Sequence, residues 1–190
     1  MSETNNSIDN LGAKEKNPDT KQVIIRYGVI LGFISVILAV VMNILGAGDP
    51  MNPKPGASMA IGCGSLILSI VLMVLAVKAI RDSQHNGGSI KLGDAFMLSF
   101  LVGMIATVIG ALYNFIDLSF LNPEKMEMAR EMMEQAMEDA GEVDGAAQGI
   151  TSFFMNFATN PTAQLVSTII GGAFFNAIIA IIVAAIMKKD

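Results

Sequence analysis

Four long blocks without a charged side chain constrain the fold of this chain more than any other feature. Three of them cover residues 27–48, 55–77 and 95–116, and the fourth is continuously apolar from about Gln164 to Met187. An α-helix needs about 20 apolar residues to cross the hydrocarbon core of a bilayer. Because an open strand would leave unpaired backbone amides in lipid, each block is predicted to cross the membrane as a helix.

The predicted fold is therefore an all-α integral membrane bundle of four transmembrane helices. The spans are expected at about 26–47, 57–79, 94–116 and 164–187, within a transmembrane domain at 23–190. The polar segment 1–22 is predicted to be a disordered tail. Composition agrees with a membrane class, since 15% of the residues are charged, against roughly 25% in soluble domains.

The basic residues near the ends of the spans predict the orientation. Nine of the 12 lie on the side of the two termini, and only Lys54, Lys125 and Arg130 lie on the other side. Positively charged residues accumulate in cytoplasmic loops. We therefore expect a multi-pass protein of the inner (plasma) membrane, with both termini in the cytoplasm.

The connection from Asp117 to about Ala163 is long enough to form structure of its own, and a helical insert is expected at 122–160. Asn122-Pro123-Glu124 is typical of a helix start, with a capping residue, a proline in the first turn and an early acid. The following residues combine methionines with glutamates, so the helix should be amphipathic. A second apolar stripe, around Ile150 to Phe157, predicts a short helix at the membrane interface.

The methionines of this insert allow two interpretations. Met126, Met133 and Met137 recur close to one helical stripe, and a flexible apolar stripe commonly packs on a membrane or protein surface. Thioether sulfurs are also ligands for copper(I). Because no histidine or cysteine accompanies them, packing is the favoured interpretation and no cofactor is predicted.

Small residues predict where the helices approach one another. Lipid solvates apolar side chains well, so membrane helices associate through close backbone contacts at small residues and through interhelical hydrogen bonds. We expect an inward-facing amide on three spans, from Asn43, Asn114 and Asn176. Val102 should tolerate a larger side chain, whereas these glycines should face neighbouring helices: Gly28, Gly32, Gly62, Gly103, Gly110 and Gly172.

Catalytic patterns are absent from the sequence: it has no phosphate-binding loop, nucleophilic triad or zinc-ligand spacing. The leading hypothesis is a non-enzymatic structural or interaction protein. A small transporter or channel component is the alternative, and copper handling is a third hypothesis. A transporter should line a water-accessible cavity with the three asparagines, whereas an interaction protein should bury them in dry helix contacts.

The expected partners are the lipid bilayer and either a membrane protein or a second copy of the chain in a homo-oligomer, but no nucleic acid.

Several short motifs resemble one bacterial family of membrane proteins. They are Arg26-Tyr27-Gly28, the run from Gly87 to Phe96, Tyr113-Asn114-Phe115-Ile116 and Asn122-Pro123-Glu124. The family is catalogued as domain of unknown function 4199, and the match would extend from Gln22 to the C-terminus. The family pattern more often has an acidic residue where this chain has Asn122. The resemblance implies a fold and a membrane class, and names no substrate.

Overall fold

Five α-helices and one π-helical turn form the structure, a computed structural model that describes residues 19–46, 54–83, 89–139, 157 and 159–188. Four of the helices are long and apolar enough to cross a membrane, so the predicted all-α, four-span fold class is confirmed. In chain order the elements are α1 Thr20–Ile44, α2 Pro55–Ser83, α3 Leu92–Ile116, the π-helical turn Asp117–Leu121, α4 Glu124–Asp139 and α5 Pro161–Met187.

Two helices begin earlier than their apolar patterns predicted, because a capping residue precedes each of them. The helix α1 begins at Thr20, inside the segment predicted as a tail, where Asp19 Oδ1 accepts a hydrogen bond from the Lys21 amide at 3.2 Å. The helix α5 begins at Pro161, because Asn160 Oδ1 accepts hydrogen bonds from the amides of Thr162 and Ala163. The first turns of both helices are polar and so are not recognised from hydropathy. The capping residue sets where each helix begins.

The third span is longer than predicted. It was expected to end at Ile116, but the chain continues through the π-helical turn, so that the apolar helical stretch extends from Leu92 to Leu121. The turn closes with the Asn122 amide donating to the Asp117 carbonyl oxygen at 2.7 Å. The predicted interfacial helix around Ile150 lies outside the described residues, apart from Phe157.

Two glycines of α1 bring that helix against α3. A Cβ added to Gly28 would lie 2.8 Å from Ile105 Cβ, and one added to Gly32 would lie 2.9 Å from Ile109 Cβ. Each glycine thus accepts a branched side chain of α3 against its backbone. Because both contacts advance together along the two chains, α1 and α3 run parallel.

The helix α5 packs on another side of α3 and runs antiparallel to it. A Cβ on Gly103 would lie 2.6 Å from Asn176 Cγ, and one on Gly172 would meet Thr107. These close approaches have the character expected of helix pairs in lipid, where small residues admit the partner's side chains. The helix α3 is therefore the centre of the bundle.

The packed core occupies one end of the bundle. We call the end where α1 begins and α5 ends the terminal end, and the opposite one the α4 end. Met73, Val77, Val102 and Val183 are fully buried, together with neighbours that lie mostly in the half of each helix nearer the terminal end. No residue of α2 between Gly56 and Leu72 is buried, so the helices are less tightly packed toward the α4 end.

Bulky apolar side chains cover the outside. Phe33, Ile44, Met59 and Phe174 are each at least 60% exposed, as expected for side chains in contact with lipid tails. In water such a surface would strongly favour association, but acyl chains solvate it about as well as another helix does.

The sequence-based packing expectations at Gly62 and Val102 were wrong. Gly62 is exposed and a Cβ there would meet no atom within 4 Å, because this part of α2 lies away from the core. Val102 is fully buried, and its carbonyl oxygen would lie 3.1 Å from a Cβ on Gly28. A larger side chain at 102 would therefore have to displace the neighbours that bury it.

Candidate functional site

A groove lies between α1, α3 and α5 in the half of the bundle nearer the α4 end. It consists of two adjoining cavities of about 400 Å³ and 390 Å³. Ser35, Gly110 and Thr168 line both cavities, so the two are continuous. We call this feature the α1–α3–α5 groove. Its volume falls in the range of small-molecule sites, roughly 300–1,000 Å³.

Glycines on two helices keep the groove open. A Cβ added at Gly110 of α3 or at Gly171 of α5 would meet no atom within 4 Å. Gly110 was predicted to be a helix-packing position, and the structure places it at the open groove instead. The same residue type that admits a neighbouring helix at Gly103 and Gly172 thus leaves unfilled space at Gly110, two turns after Gly103, and at Gly171, the residue before Gly172.

One interhelical hydrogen bond marks the inner end of the groove. Asn176 Nδ2 on α5 donates to Thr107 Oγ1 on α3 at 2.8 Å, and Asn176 is buried. Beyond it, toward the terminal end, Val77, Val102 and Val183 are fully buried. The groove therefore ends blindly at the core.

A charged network closes the other end of the groove. Lys125 Nζ lies 3.0 Å from Asp117 Oδ2 and donates to Asn43 Oδ1 at 2.8 Å. Asn122 Nδ2 donates to Asp117 Oδ1 at 2.6 Å, and Asn43 Nδ2 lies 3.4 Å from the same oxygen. The four side chains join α1, the π-helical turn and the start of α4. We call them the Asp117–Lys125 network.

Burial makes the Asp117–Lys125 network different from the surface ion pairs. The Asp117 side chain is 7% exposed and that of Lys125 is 23% exposed, whereas both members of the Arg130–Glu134 pair are more than half exposed. Charges in a membrane-embedded region are costly, so they occur in pairs and commonly mark functional positions.

A family comparison supports the resemblance noted from the motifs. The family model described as "Protein of unknown function (DUF4199)" matches residues 26–189, nearly the whole chain. The chain belongs to the DUF4199 family. No functionally curated protein and no solved structure matches it.

The structure places all three predicted intramembrane asparagines of this DUF4199 chain on the groove. Asn43 and Asn114 line the cavity nearer α4, and Asn176 lines the other. Asn43 and Asn176 also make the hydrogen bonds described above. Asn43 and Asn176 therefore line a cavity, as expected of a transporter, and also bond to other helices, as expected of an interaction protein.

Sequence reasoning missed the ion pair. Asp117 was assigned to the outer connection because it is the first charged residue after an uncharged block. Lys125 was read only as one of three basic residues on its side. The capping motif at Asn122 could have predicted the pair. It begins a helix about one turn after the Asp117 carboxylate, so Lys125, in the first turn of that helix, lies close to Asp117.

The amphipathic helix α4 of this DUF4199 protein is fastened to the bundle at its first turn. Besides Lys125, Met126 takes part, since Gln164 Nε2 on α5 lies 3.8 Å from Met126 Sδ. Met133 is half-buried, and the side chain of Met137 lies outside the described residues. The hypothesis that the three methionines bind copper therefore stays untested.

Proposed function

We propose that this DUF4199 protein is a non-enzymatic interaction protein that binds a membrane-resident partner molecule in the α1–α3–α5 groove. The observation that carries the proposal is the groove itself. It is open between α1 and α5, it is lined by glycines, and it is closed at its inner end by the packed core. Membrane helices that pack only for stability approach one another closely at small residues, whereas Gly110 and Gly171 border open space.

The location of the groove supports a partner that reaches it from within the bilayer. Phe175, which lines the groove and also reaches the outer surface, is apolar and 58% exposed. A hydrophilic solute would have to cross this apolar border, whereas a molecule dissolved in the bilayer meets it by lateral diffusion.

A small transporter or channel component is the second candidate. Its support is that Asn43, Asn114 and Asn176 all line the groove, which places amides along a path in the membrane. Against it stands the packed terminal end, because a solute would have to separate Met73, Val77, Val102 and Val183 to pass through one copy of the chain.

The test is site-specific photo-crosslinking in native membranes. A photoreactive side chain at Gly171 projects into the groove, and one at Phe33 samples the lipid-facing surface. We expect one predominant product of defined mass from position 171, and a mixture that follows bulk membrane composition from position 33. The same mixture from both positions would contradict the proposal.

Proteoliposomes separate the two candidates. An interaction protein should leave vesicles tight to entrapped amino acids, sugars and ions. Selective release of one solute that stops when Gly110→Leu fills the groove would favour the transporter candidate.

A further inference from the structure

The length of the α1–α3–α5 groove matches one leaflet of a bilayer. Its inner end lies at Gly103 and its other end at Asp117 of the same helical stretch. At 1.5 Å per residue, this separation is about 21 Å. One leaflet, with its headgroup region included, is half of a total thickness of roughly 40–45 Å. An extended chain that starts at the membrane interface would therefore end near Gly103.

The lining of the groove suits a single acyl chain. Its two cavities measure about 400 Å³ and 390 Å³ and follow one another along α3. The glycines at 110 and 171 leave a smooth surface on which an extended chain can lie.

The polar end of the groove offers one cation for a phosphate group. Lys125 lines the cavity, and its ammonium group has three N–H donors. Asn43 and Asp117 accept two of them in the part of the chain that the structure describes. The third donor is thus available to a phosphate oxygen at this end of the groove.

The surroundings of Lys125 select against a headgroup with net negative charge. Glu124, Glu127 and Glu131 lie on the same helix and are exposed. Their carboxylates repel an anionic headgroup and attract an ammonium group, with a range set by the Debye length of about 8–10 Å in physiological salt. A headgroup that carries both a phosphate and an amine satisfies both requirements.

We infer that the partner molecule is a zwitterionic aminophospholipid of the leaflet nearer α4. One acyl chain lies in the groove from Asp117 to Gly103, the phosphate group contacts Lys125, and the amine faces the carboxylates of α4. This inference rests on the proposed function, since it names the molecule that the groove binds.

The test compares two lipids and two matched variants. Purified, delipidated protein is titrated with phosphatidylethanolamine and with phosphatidylglycerol of identical acyl chains, and bound lipid is counted by native mass spectrometry. We expect one phosphatidylethanolamine per chain and about tenfold weaker binding of phosphatidylglycerol, a difference of 1.4 kcal/mol. Equal binding of the two lipids would overturn the headgroup assignment.

Gly110→Leu fills the groove, and Gly62→Leu is its control, because a Cβ at either glycine meets no atom and only Gly110 lines the groove. We expect Gly110→Leu to weaken phosphatidylethanolamine binding about tenfold or more, since each displaced acyl methylene costs several-fold in affinity. Gly62→Leu should bind like the unmodified chain. Equal affinity of the two variants would overturn the assignment of the acyl chain.

The photo-crosslinking experiment distinguishes this inference from the function on which it rests. A phospholipid product at Gly171 supports both. A single peptide product there leaves the groove as an interaction site but overturns the lipid, and a product mixture like that at Phe33 overturns both.

Discussion

Lys125 Nζ lies 3.0 Å from Asp117 Oδ2, and this ion pair connects α4 to the end of the transmembrane helix α3. Asn43 of α1 contacts both members of the pair. A helix rich in carboxylates is thereby held at the end of the bundle by one of its two described basic residues. Partial burial makes that connection sensitive to the loss of either charge.

Lys125→Met should destabilise the protein. Removing one member of a buried pair leaves the other without compensation, and we expect a loss of roughly 2–3 kcal/mol because Lys125 keeps some exposure. Arg130→Met is the control, since its exposed pair should contribute about 0.5 kcal/mol or less. Thermal unfolding in detergent measures both. Adding Asp117→Asn to Lys125→Met should recover part of the loss, and equal effects of the two single variants would contradict a structural role of the pair.

Gly103→Leu should separate α3 from its neighbours. A Cβ there would already lie 2.6 Å from Asn176 Cγ and 2.7 Å from Met73 Cε, so we expect a loss of about 2–3 kcal/mol from overpacking. Val108→Leu, at a 39% exposed position on the same helix, should change the unfolding temperature little. If both variants unfold at the temperature of the unmodified chain, the close approach of α3 and α5 is wrong.

Ser99→Ala should raise the unfolding temperature. Among the described residues, Ser99 Oγ is a buried oxygen without a hydrogen-bond partner, and an unsatisfied buried polar group costs about 1–3 kcal/mol. Alanine removes that cost without adding volume. Ser35→Ala is the matched comparison, because the Ser35 hydroxyl donates to the Leu31 carbonyl oxygen at 2.9 Å. A gain from Ser35→Ala as large as that from Ser99→Ala would rule out this explanation.

The hydrogen bond between Asn176 and Thr107 should appear as a coupling energy. In a double-mutant cycle of Asn176→Leu and Thr107→Val, we expect an interaction of roughly 0.6–2 kcal/mol, the range for interhelical hydrogen bonds in membranes. Additive effects would mean that the two side chains do not interact.

The orientation predicted from the basic residues is tested by accessibility. In a Cys63→Ala background, single cysteines at Asn52 and Gln135 should react with a membrane-impermeant thiol reagent on intact cells. Cysteines at Ser7 and Asp190 should react only after the membrane is opened. The reverse pattern would place the α4 end in the cytoplasm.

Hydropathy and charge were sufficient for the class of fold, because a membrane span is a local property. About 20 consecutive apolar residues must be helical in lipid whatever surrounds them. The four spans were therefore predictable from residues 27–48, 55–77, 95–116 and the last apolar block. The ends of the spans were less predictable, since the capping residues Asp19 and Asn160 lie in polar segments without an apolar pattern.

Only the tertiary structure decided which small residues pack and which leave space. Gly103 and Gly110 are two turns apart on the same helix, yet one meets Asn176 and the other faces the open groove. The same holds for Asp117 and Lys125, whose network includes Asn43 from 74 residues earlier in the chain than Asp117. A local pattern predicts that a residue lies in a helix, but the rotation of one helix against another depends on every contact along their shared length. Neither the groove nor the ion pair exists until those rotations are set.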